Sequence, residues 1–476
     1  MSNGKNIQTQ PIFGRTRQIH MVGIGGIGMS GMAEILLQKG YKVTGSDASM
    51  SETVERLRQL GAEVHIGHNE ANIEGADVVV YTSAVKANEN IETRAALEKG
   101  IPVIKRAEML AELMRMKYGV GVAGTHGKTT TTTMIGHVVQ DGSFDPTIIV
   151  GGKVHSFDKT NAVVGSGDVI IVEADEFDRT FLRLRPSLAV ITNIEAEHLD
   201  IYDSLEDVKN AFVEFANEVP FYGAVIVCLD DPNVRSIIPR IERRTLSYGL
   251  TPQAEIRAVD MEMDQFCSAF TVLHEGDEIG RIRLAAPGEH NVKNALAAVA
   301  AGLELDIDFT LIRSGLERFE GVFRRFQLKT DTDGVMVIDD YAHHPTEVQA
   351  TLNAARKGWK KRRIVAVFQP HLYSRTQELY KEFGSSFFDA EVCVITDVYP
   401  SREKPIPGVS GQLISDAARE YGHRKVHYVE DKNELPAKLK DIVQSGDIVI
   451  TMGAGDIYKY GEQFVDALEA GLENLN

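Results

Sequence analysis

Positive charge is in deficit: 51 Lys and Arg stand against 68 Asp and Glu, leaving a formal net charge of −17 over 476 residues. That balance argues against general affinity for nucleic acid or an anionic membrane, while leaving room for local basic sites that hold phosphate. Cysteine is scarce too. Cys228, Cys267 and Cys393 are widely spaced, each in or near an apolar run. No Cys-x-x-Cys or Cys/His spacing marks a metal site or a disulfide framework, so reduced, buried thiols are expected. No apolar stretch reaches the ~18–20 residues of a membrane-spanning helix. Met1–Gln10 is polar, without the apolar core of a secretory signal. A cytoplasmic protein with neither membrane nor nucleic-acid partners is therefore expected. A long low-complexity linker and a fixed-period repeat are also absent, and the length allows about three domains at ~150 residues each.

What is present is a recurring alternation of short apolar runs and helical stretches, the pattern of parallel, doubly wound α/β sheets. It divides into three blocks, 1–106, 107–320 and 321–476. In the first, Gln18–Val22, Tyr41–Thr44, Ala76–Tyr81 and Pro102–Ile104 read as strands, and His65-Ile-Gly67-His68 as a loop. In the second, strands are expected at Tyr118–Ala123, Asp168–Val172, Leu188–Thr192 and Ala224–Leu229. Between about Leu246 and Pro287 the pattern turns to alternation, which suggests a small antiparallel addition, and helix returns at Asn294–Leu303. The third block has runs at Val335–Ile338, Ile364–Phe368, Val392–Thr396 and Ile448–Thr451. In every block the chemically versatile residues follow directly after apolar runs, where ligands of open α/β sheets bind.

Gly124-Thr125-His126-Gly127-Lys128-Thr129, with Thr130 after it, closes one such run and opens a helix. Glycine admits backbone amides to phosphate oxygens, the helix N-terminus adds partial positive charge and Lys128 a full one, and the Thr129 hydroxyl can hold Mg²⁺. ATP use is the reading. In the general phosphate-loop pattern the first glycine would fall on Val122, so a glycine-rich turn with a surface lysine is the alternative. Glu173 and His198 end neighbouring strands and could join Thr129 around Mg²⁺; a cluster of solvated acids with Asp175, Glu176 and Asp178 is the competing reading.

In the first block, Gly23-x-Gly25-Gly26-x-Gly28 with Asp47 about 20 residues on satisfies the dinucleotide fingerprint. The same turn serves NAD or the pyrophosphate of a UDP-sugar, because its amides read phosphate. An NAD-dependent oxidoreductase is accordingly one alternative, and a non-catalytic ATP-switched binding protein another. His68, Ser83 and Arg106 are weaker candidates for that site. At the start of a later helix, His290, Asn291 and Asn294 could pair with an adenine edge, or Asn291 could cap the helix. Arg325, in Gly321-Val-Phe-Arg324-Arg325, could clamp a phosphoryl group bidentately. Asp339-Asp340-Tyr341-Ala-His343-His344-Pro345 and Gln369-Pro-His371-Leu-Tyr-Ser-Arg375 read as a site for a zwitterion: carboxylate for an amine, imidazole or arginine for a carboxylate.

Taken together, GIGGIGMSG (23–31), GTHGKTTT (124–131), EADEFD (173–178), NIEAEHLD (193–200), GEHNVKNALAA (288–298), GVFRRFQ (321–327), DDYAHHPTE (339–347), FQPHLYSRT (368–376) and DVYPSREKPIPGVSG (397–411) resemble the Mur ligases. These are ATP-dependent amide-forming enzymes of peptidoglycan precursor synthesis. The resemblance covers residues 15 to 470, and the displaced glycine of the phosphate loop matches that family's own version. It implies three domains: a Rossmann-like one for a UDP-sugar, a phosphate-loop ATPase domain, and a Rossmann-like C-terminal one for the amino acid. It further implies ATP and Mg²⁺ as cofactors, with UDP-N-acetylmuramate and L-alanine as substrates joined through an acyl phosphate. The alternative within the family is the branch that attaches a recycled tripeptide. Lys128, Glu173, His198 and Arg325 would serve the phosphoryl group, and His343, His344, His371 and Arg375 the amino acid. Asp340 or His344 would be the base. No lysine is placed to be carbamoylated for a second Mg²⁺. A homodimer is compatible with the sequence, though no motif specifies one.

Overall fold

The computed structural model describes residues 13–82, 85–151, 161–177, 179–197, 201–401 and 403–473. Two sequence-derived candidates, Ser83 and His198, lie outside them. The chain forms two compact units. One runs up to Ile256 and includes Leu296–Gly315; the other comprises Arg257–Ala295 and everything from Leu316 onward.

The first unit opens with β1 (Gln18–Val22), β2 (Lys42–Asp47), β3 (Glu63–Ile66), β4 (Val78–Tyr81) and β5 (Val103–Lys105), in the order β3-β2-β1-β4-β5. All neighbours are parallel. The connection reverses direction across the sheet between β1 and β4, so the turn after β1 sits at the crevice where such sheets bind ligands. One expectation needs correcting: His65 and Ile66 belong to strand β3, not to a loop. Only Val64 of β3 is buried, so this edge strand lacks the apolar run that would announce it.

The same unit continues with β6 (Tyr118–Ala123), β7 (Thr147–Ile149), β8 (Ala162–Val163), β9 (Val169–Glu173), β10 (Leu188–Ile191), β11 (Ala224–Cys228) and β12 (Thr245–Gly249). Their order is β12-β11-β10-β6-β9-β7-β8. All pairs are parallel except β7 with β8. The central strands are buried on both faces, which is why they read as unbroken apolar runs. Here too the sequence reading shifts: β12 pairs in parallel with β11, so the alternating segment starts at Ile256 and not near Leu246.

That segment is β13 (Ile256–Asp264), β14 (Cys267–His274) and β15 (Asp277–Leu284), with β14 and β15 antiparallel. Most of it belongs to the second unit, where Phe266 stands edge-on to Trp359 at 4.8 Å between ring centroids and to Phe326 at 6.2 Å. The unit's main sheet holds β16 (Gln327–Thr332), β17 (Val335–Asp340), β18 (Arg363–Phe368), β19 (Val392–Thr396), β20 (Val426–Val429) and β21 (Asp447–Met452). They run in the order β16-β17-β21-β18-β19-β20, parallel apart from β16. Apolar clusters cover both faces, one around Ile338, Phe368 and Phe387, the other around Val337, Val367 and Phe464. Among the described residues no helix is long and apolar enough to cross a membrane. Cys228 and Cys393 are buried, Cys267 is half-buried, and none forms a disulfide.

Candidate active site

The phosphate loop lies between β6 and the helix Lys128–Asp141, and its shape is imposed by the loop after β10. Asn193 accepts from the His126 amide through Oδ1 (2.8 Å), donates to the His126 carbonyl through Nδ2 (3.0 Å), and receives the Thr125 amide on its own carbonyl (3.1 Å). The Thr192 hydroxyl also donates to the His126 carbonyl (2.7 Å), and the Glu195 amide to Thr125 Oγ1 (2.8 Å). Two glycines are obligatory. Gly124 has φ +140°, and a Cβ there would lie 2.0 Å from Thr192 Oγ1; Gly127, at φ +82°, is the residue from which the helix starts. The first intrahelical bond of this turn is Thr131 N–H to the Gly127 carbonyl. The amides of Lys128, Thr129 and Thr130 precede it, which makes them the orphan donors of a helix N-terminus.

Lys128 bonds to the Gly124 carbonyl (2.6 Å) and to both oxygens of Glu176 (3.0 and 2.9 Å). Burial acts to strip the ammonium of its proton, but the Glu176 and Asp175 carboxylates outweigh it and hold Lys128 charged, above the ordinary lysine range. Burial likewise pushes the Glu176 carboxyl up to about 7 against the pull of Lys128. Glu173, at the end of β9, is pushed upward by burial while the Gly151 amide and the Thr129 hydroxyl donate to it. Among the described residues Glu173 Oε1 is buried with no hydrogen-bond partner. A hydroxyl and an unsatisfied carboxylate oxygen beside a phosphate cradle are hard oxygen donors, and they fit Mg²⁺.

In the first sheet, the Gly25 amide donates to Asp47 Oδ2 at 2.8 Å, which ties the glycine turn to the end of β2. Arg106 lies against the same turn: a Cβ on Gly28 would come within 2.7 Å of its Nη1. Gly26 precedes the helix Ile27–Gln38. His68 stands at the far side of the sheet, its Nδ1 3.0 Å from Ser46 Oγ and 3.2 Å from Glu92 Oε2.

In the second unit the paired arginines divide their work. Arg324, at φ +57°, binds Asp339 (2.9 Å) and the Gly453 (2.7 Å) and Gly455 (3.2 Å) carbonyls. Arg325 pairs with Glu347 (3.1 Å), whose second oxygen accepts the His343 amide (2.9 Å). Asp340 accepts the Phe326 and Ala342 amides, one on each oxygen at 2.8 Å, and burial pushes its carboxyl up to about 6. It thereby pins two motifs together. His344 precedes the helix Pro345–Gly358, with Pro345 in its first turn where a missing amide costs nothing. His371 stacks on Tyr399 (5.8 Å, 13°) and lies 6.1 Å from the His343 ring. Burial, then the Arg375 charge, brings its imidazole down to about 4. Leu372, at φ +72°, turns the chain from His371 into the helix Tyr373–Gly384 that carries Arg375. His290 is also brought down to about 4, by burial and then by Lys293 and Arg325, and with Lys293, Gln349 and Asn353 it lines a cavity of about 460 Å³. Asn291 lies inside the helix Glu289–Glu304 and not at its N-cap: its Nδ2 donates to the Pro287 carbonyl (2.7 Å), and Asn294 donates to Asn291 (3.3 Å).

Three family models match in succession: the Mur ligase family catalytic domain over residues 18–118, the Mur ligase middle domain over 122–302, and the Mur ligase glutamate ligase domain over 324–455. The chain belongs to the Mur ligase family. Its three-domain α/β fold is that of the family. It is 56% identical over 463 residues to a UDP-N-acetylmuramate–L-alanine ligase of Salinibacter ruber, covering 97% of each chain. It is 52% identical to the enzyme of that name from Geotalea daltonii, over 96% of this chain and 99% of that one. A crystal structure of the UDP-N-acetylmuramate-alanine ligase of Thermotoga maritima superposes with a TM-score of 0.79 at 30% identity, covering 95% and 99% of the two chains. The murein peptide ligase of Psychrobacter arcticus has the same fold, with a TM-score of 0.66 at 23% identity over 95% and 98%.

For a Mur ligase, the residues that sequence reasoning underrated are those that hold the others. Glu176 sits in the sequence among acids that read as solvated, yet it is buried and is the ion-pair partner of Lys128. Asn193 and Thr192 shape the phosphate loop from 66–67 positions away. Glu92, which no motif marks, gathers Ser46, His68 and Asn72. The signal for Asn193 was its place directly after β10; for Glu92 there was none.

Proposed function

We propose that this protein is an ATP-dependent ligase joining L-alanine to the lactyl carboxylate of UDP-N-acetylmuramate, with release of ADP and phosphate. The observation that carries the reading is the Lys128 cradle with the Thr129–Glu173 pair beside it; the alanine-ligase names of the relatives supply the substrates. A carboxylate is a poor electrophile, and ATP remedies this. A lactyl oxygen attacks the γ-phosphorus as the bond to ADP breaks, giving an acyl phosphate. The amine of alanine then attacks the carbonyl carbon, loses its proton, and phosphate leaves. Catalysis of such steps is mainly charge neutralisation and alignment.

Lys128 and the amides of the helix N-terminus bind and orient the phosphates. Thr129 and Glu173 would hold Mg²⁺, with His198 as a further ligand by resemblance, and the ion supplies neutralisation of the transferring phosphoryl group. Gly25, Gly26, Gly28, Asp47, His68, Ser83 and Arg106 are assigned to the UDP moiety, and His290, Asn291 and Asn294 to adenine. Arg325 is assigned to the phosphoryl group, and His343, His344, His371 and Arg375 to the amino acid. The two amides on Asp340 favour a framework role over that of a base, which leaves His344 as the candidate. A cytoplasmic location follows from this reading, since its nucleotide substrates are made there.

The test is ADP release with UDP-N-acetylmuramate and a panel of amino acids plus the muramyl tripeptide. Release that requires both UDP-N-acetylmuramate and L-alanine supports the proposal; release with the tripeptide alone assigns the recycling branch, and release with neither rejects ligation. Lys128→Ala is expected to lower turnover by roughly 10²–10³-fold or more while UDP-N-acetylmuramate binding, read by calorimetry, stays nearly intact.

A further inference from the structure

One face of the first sheet sets an apolar patch around Val22 and Val79 beside a row of polar side chains, and that row is buried. His20 and Thr44 stand side by side on β1 and β2 in register, with Ser46 two positions further on. His20 Nδ1 is 2.9 Å from Thr44 Oγ1. Over them lies Glu92, in the first turn of the helix Ile91–Glu98, with no exposed side-chain surface. Its Oε2 accepts the Ser46 hydroxyl (2.5 Å) and lies 3.6 Å from His20 Nε2. Its Oε1 accepts Asn72 Nδ2 (2.6 Å) and the Asn69 amide (3.3 Å). Burial acts to raise this carboxyl, yet His20, Ser46 and Asn72 together hold it at about 2. A desolvated charge with this many partners costs more to build than an apolar core of equal volume, so its retention calls for a use.

The hydrogen count identifies that use. Ser46 spends its one hydrogen on Glu92, so its oxygen can only accept, and the carboxylate can only accept as well. His68 Nδ1, at 3.0 and 3.2 Å from these two oxygens, must therefore carry the proton. In the neutral ring Nε2 is then an acceptor, on a side chain that is 30% exposed. His68 follows directly after β3, which lies on the far side of β2 from β1 and its glycine turn. At ~4.8 Å per strand it stands about 10 Å from the diphosphate position, on the side where a nucleoside extends past Asp47. A lone pair there meets a donor, not a phosphate oxygen.

We propose that Glu92 is a positioning residue for the nucleoside end of the UDP-sugar site: its buried carboxylate fixes His68 with the proton on Nδ1 and presents Nε2 as an acceptor to an N–H or O–H of the nucleoside. This rests on the assignment of the first block to a UDP-sugar. Uridine offers three such donors, the uracil imide N–H and the 2′- and 3′-hydroxyls of the ribose.

The test combines histidine ¹⁵N spectroscopy, with His68 assigned through His68→Asn, and calorimetric titration of UDP, 3-methyl-UDP, 2′-deoxy-UDP and 3′-deoxy-UDP. In the wild-type protein His68 is expected as the Nδ1–H tautomer; finding Nε2–H overturns the proposal without any need for a variant. Glu92→Gln, whose amide can donate to Nδ1, is expected to abolish that preference and to weaken UDP binding by roughly 10–100-fold. Combined with His68→Ala it should cost nothing beyond His68→Ala alone, whereas an equal further loss would make Glu92 merely structural and overturn the proposal. The analogue that binds weakly to wild type and is insensitive to Glu92→Gln identifies the donor, and equal binding of UDP and all three analogues overturns the proposal. Wild-type protein that binds no UDP at all would reject the UDP-sugar assignment itself, a separate outcome.

Discussion

A single ion pair decides how the phosphate cradle waits for its ligand. Lys128 is half-buried against a buried Glu176 and shared between that carboxylate and the Gly124 carbonyl, so nucleotide must draw it away from a carboxylate. Glu176→Gln removes the competing charge. The expected outcome is a lower melting temperature for the empty protein, by the 3–5 kcal/mol typical of breaking a buried pair (about half of that where the amide still bonds), together with a larger upward shift on adding ATP than in wild type. An ATP-induced shift no larger than that of wild type would mean the pair does not compete with nucleotide. Glu92 offers a pH readout at the same scale. Its carboxyl is held at about 2 against an ordinary 4.5, so the unfolded chain binds the proton more tightly between those values. The stabilisation is fully present above pH 4.5 and is lost as pH falls toward 2, and it is on the order of 3 kcal/mol. In urea unfolding from pH 7 to pH 3, wild type should lose its advantage over Glu92→Gln below pH 4.5; a constant gap would contradict the assignment.

Secondary-structure elements account for what was legible in advance. Strands buried on both faces, such as Ile364–Phe368 and Val392–Thr396, announce themselves as apolar runs, and the segments that follow them are where the sequence places its candidates. Most of the elements missed were edges: β3, β8, β16 and β20 are short or half-exposed, so their pattern is no different from that of loops, while the buried inner strand β7 is only three residues long. Support residues were missed for a related reason. Asn193 and Glu92 act through hydrogen bonds to positions 67 and 24 residues away, which no local pattern encodes. The β6–helix junction gives the sharpest prediction at this scale. Gly124→Ala places a methyl 2.0 Å from Thr192 Oγ1 at φ +140°, so ATP binding by calorimetry is expected to fall at least tenfold. Adding Thr192→Ala, which removes that oxygen, should restore part of the affinity but not the backbone strain of ~1–3 kcal/mol.

At the scale of the whole chain, the compact units do not follow one another in sequence. Residues 257–295 belong with the C-terminal part, and 296–315 with the N-terminal part. A fragment ending at residue 320, near the expected end of the second block, therefore contains β13–β15 without Trp359 and Phe326. It is expected to bind a hydrophobic dye and to elute as aggregates in size-exclusion chromatography; a monodisperse, dye-silent fragment would show that these strands need no partner. The interleaving also bears on how the protein is made. On a ribosome the chain emerges in one direction, and Phe266 appears well before the tryptophan that stands against it. About 90 residues separate them, a delay of roughly 5–20 s at 5–20 residues per second. Once residues 296–315 have emerged, a completed N-terminal unit and an uncovered aromatic hairpin share one nascent polypeptide for the rest of that interval, and the cell's folding helpers have a defined window in which to act.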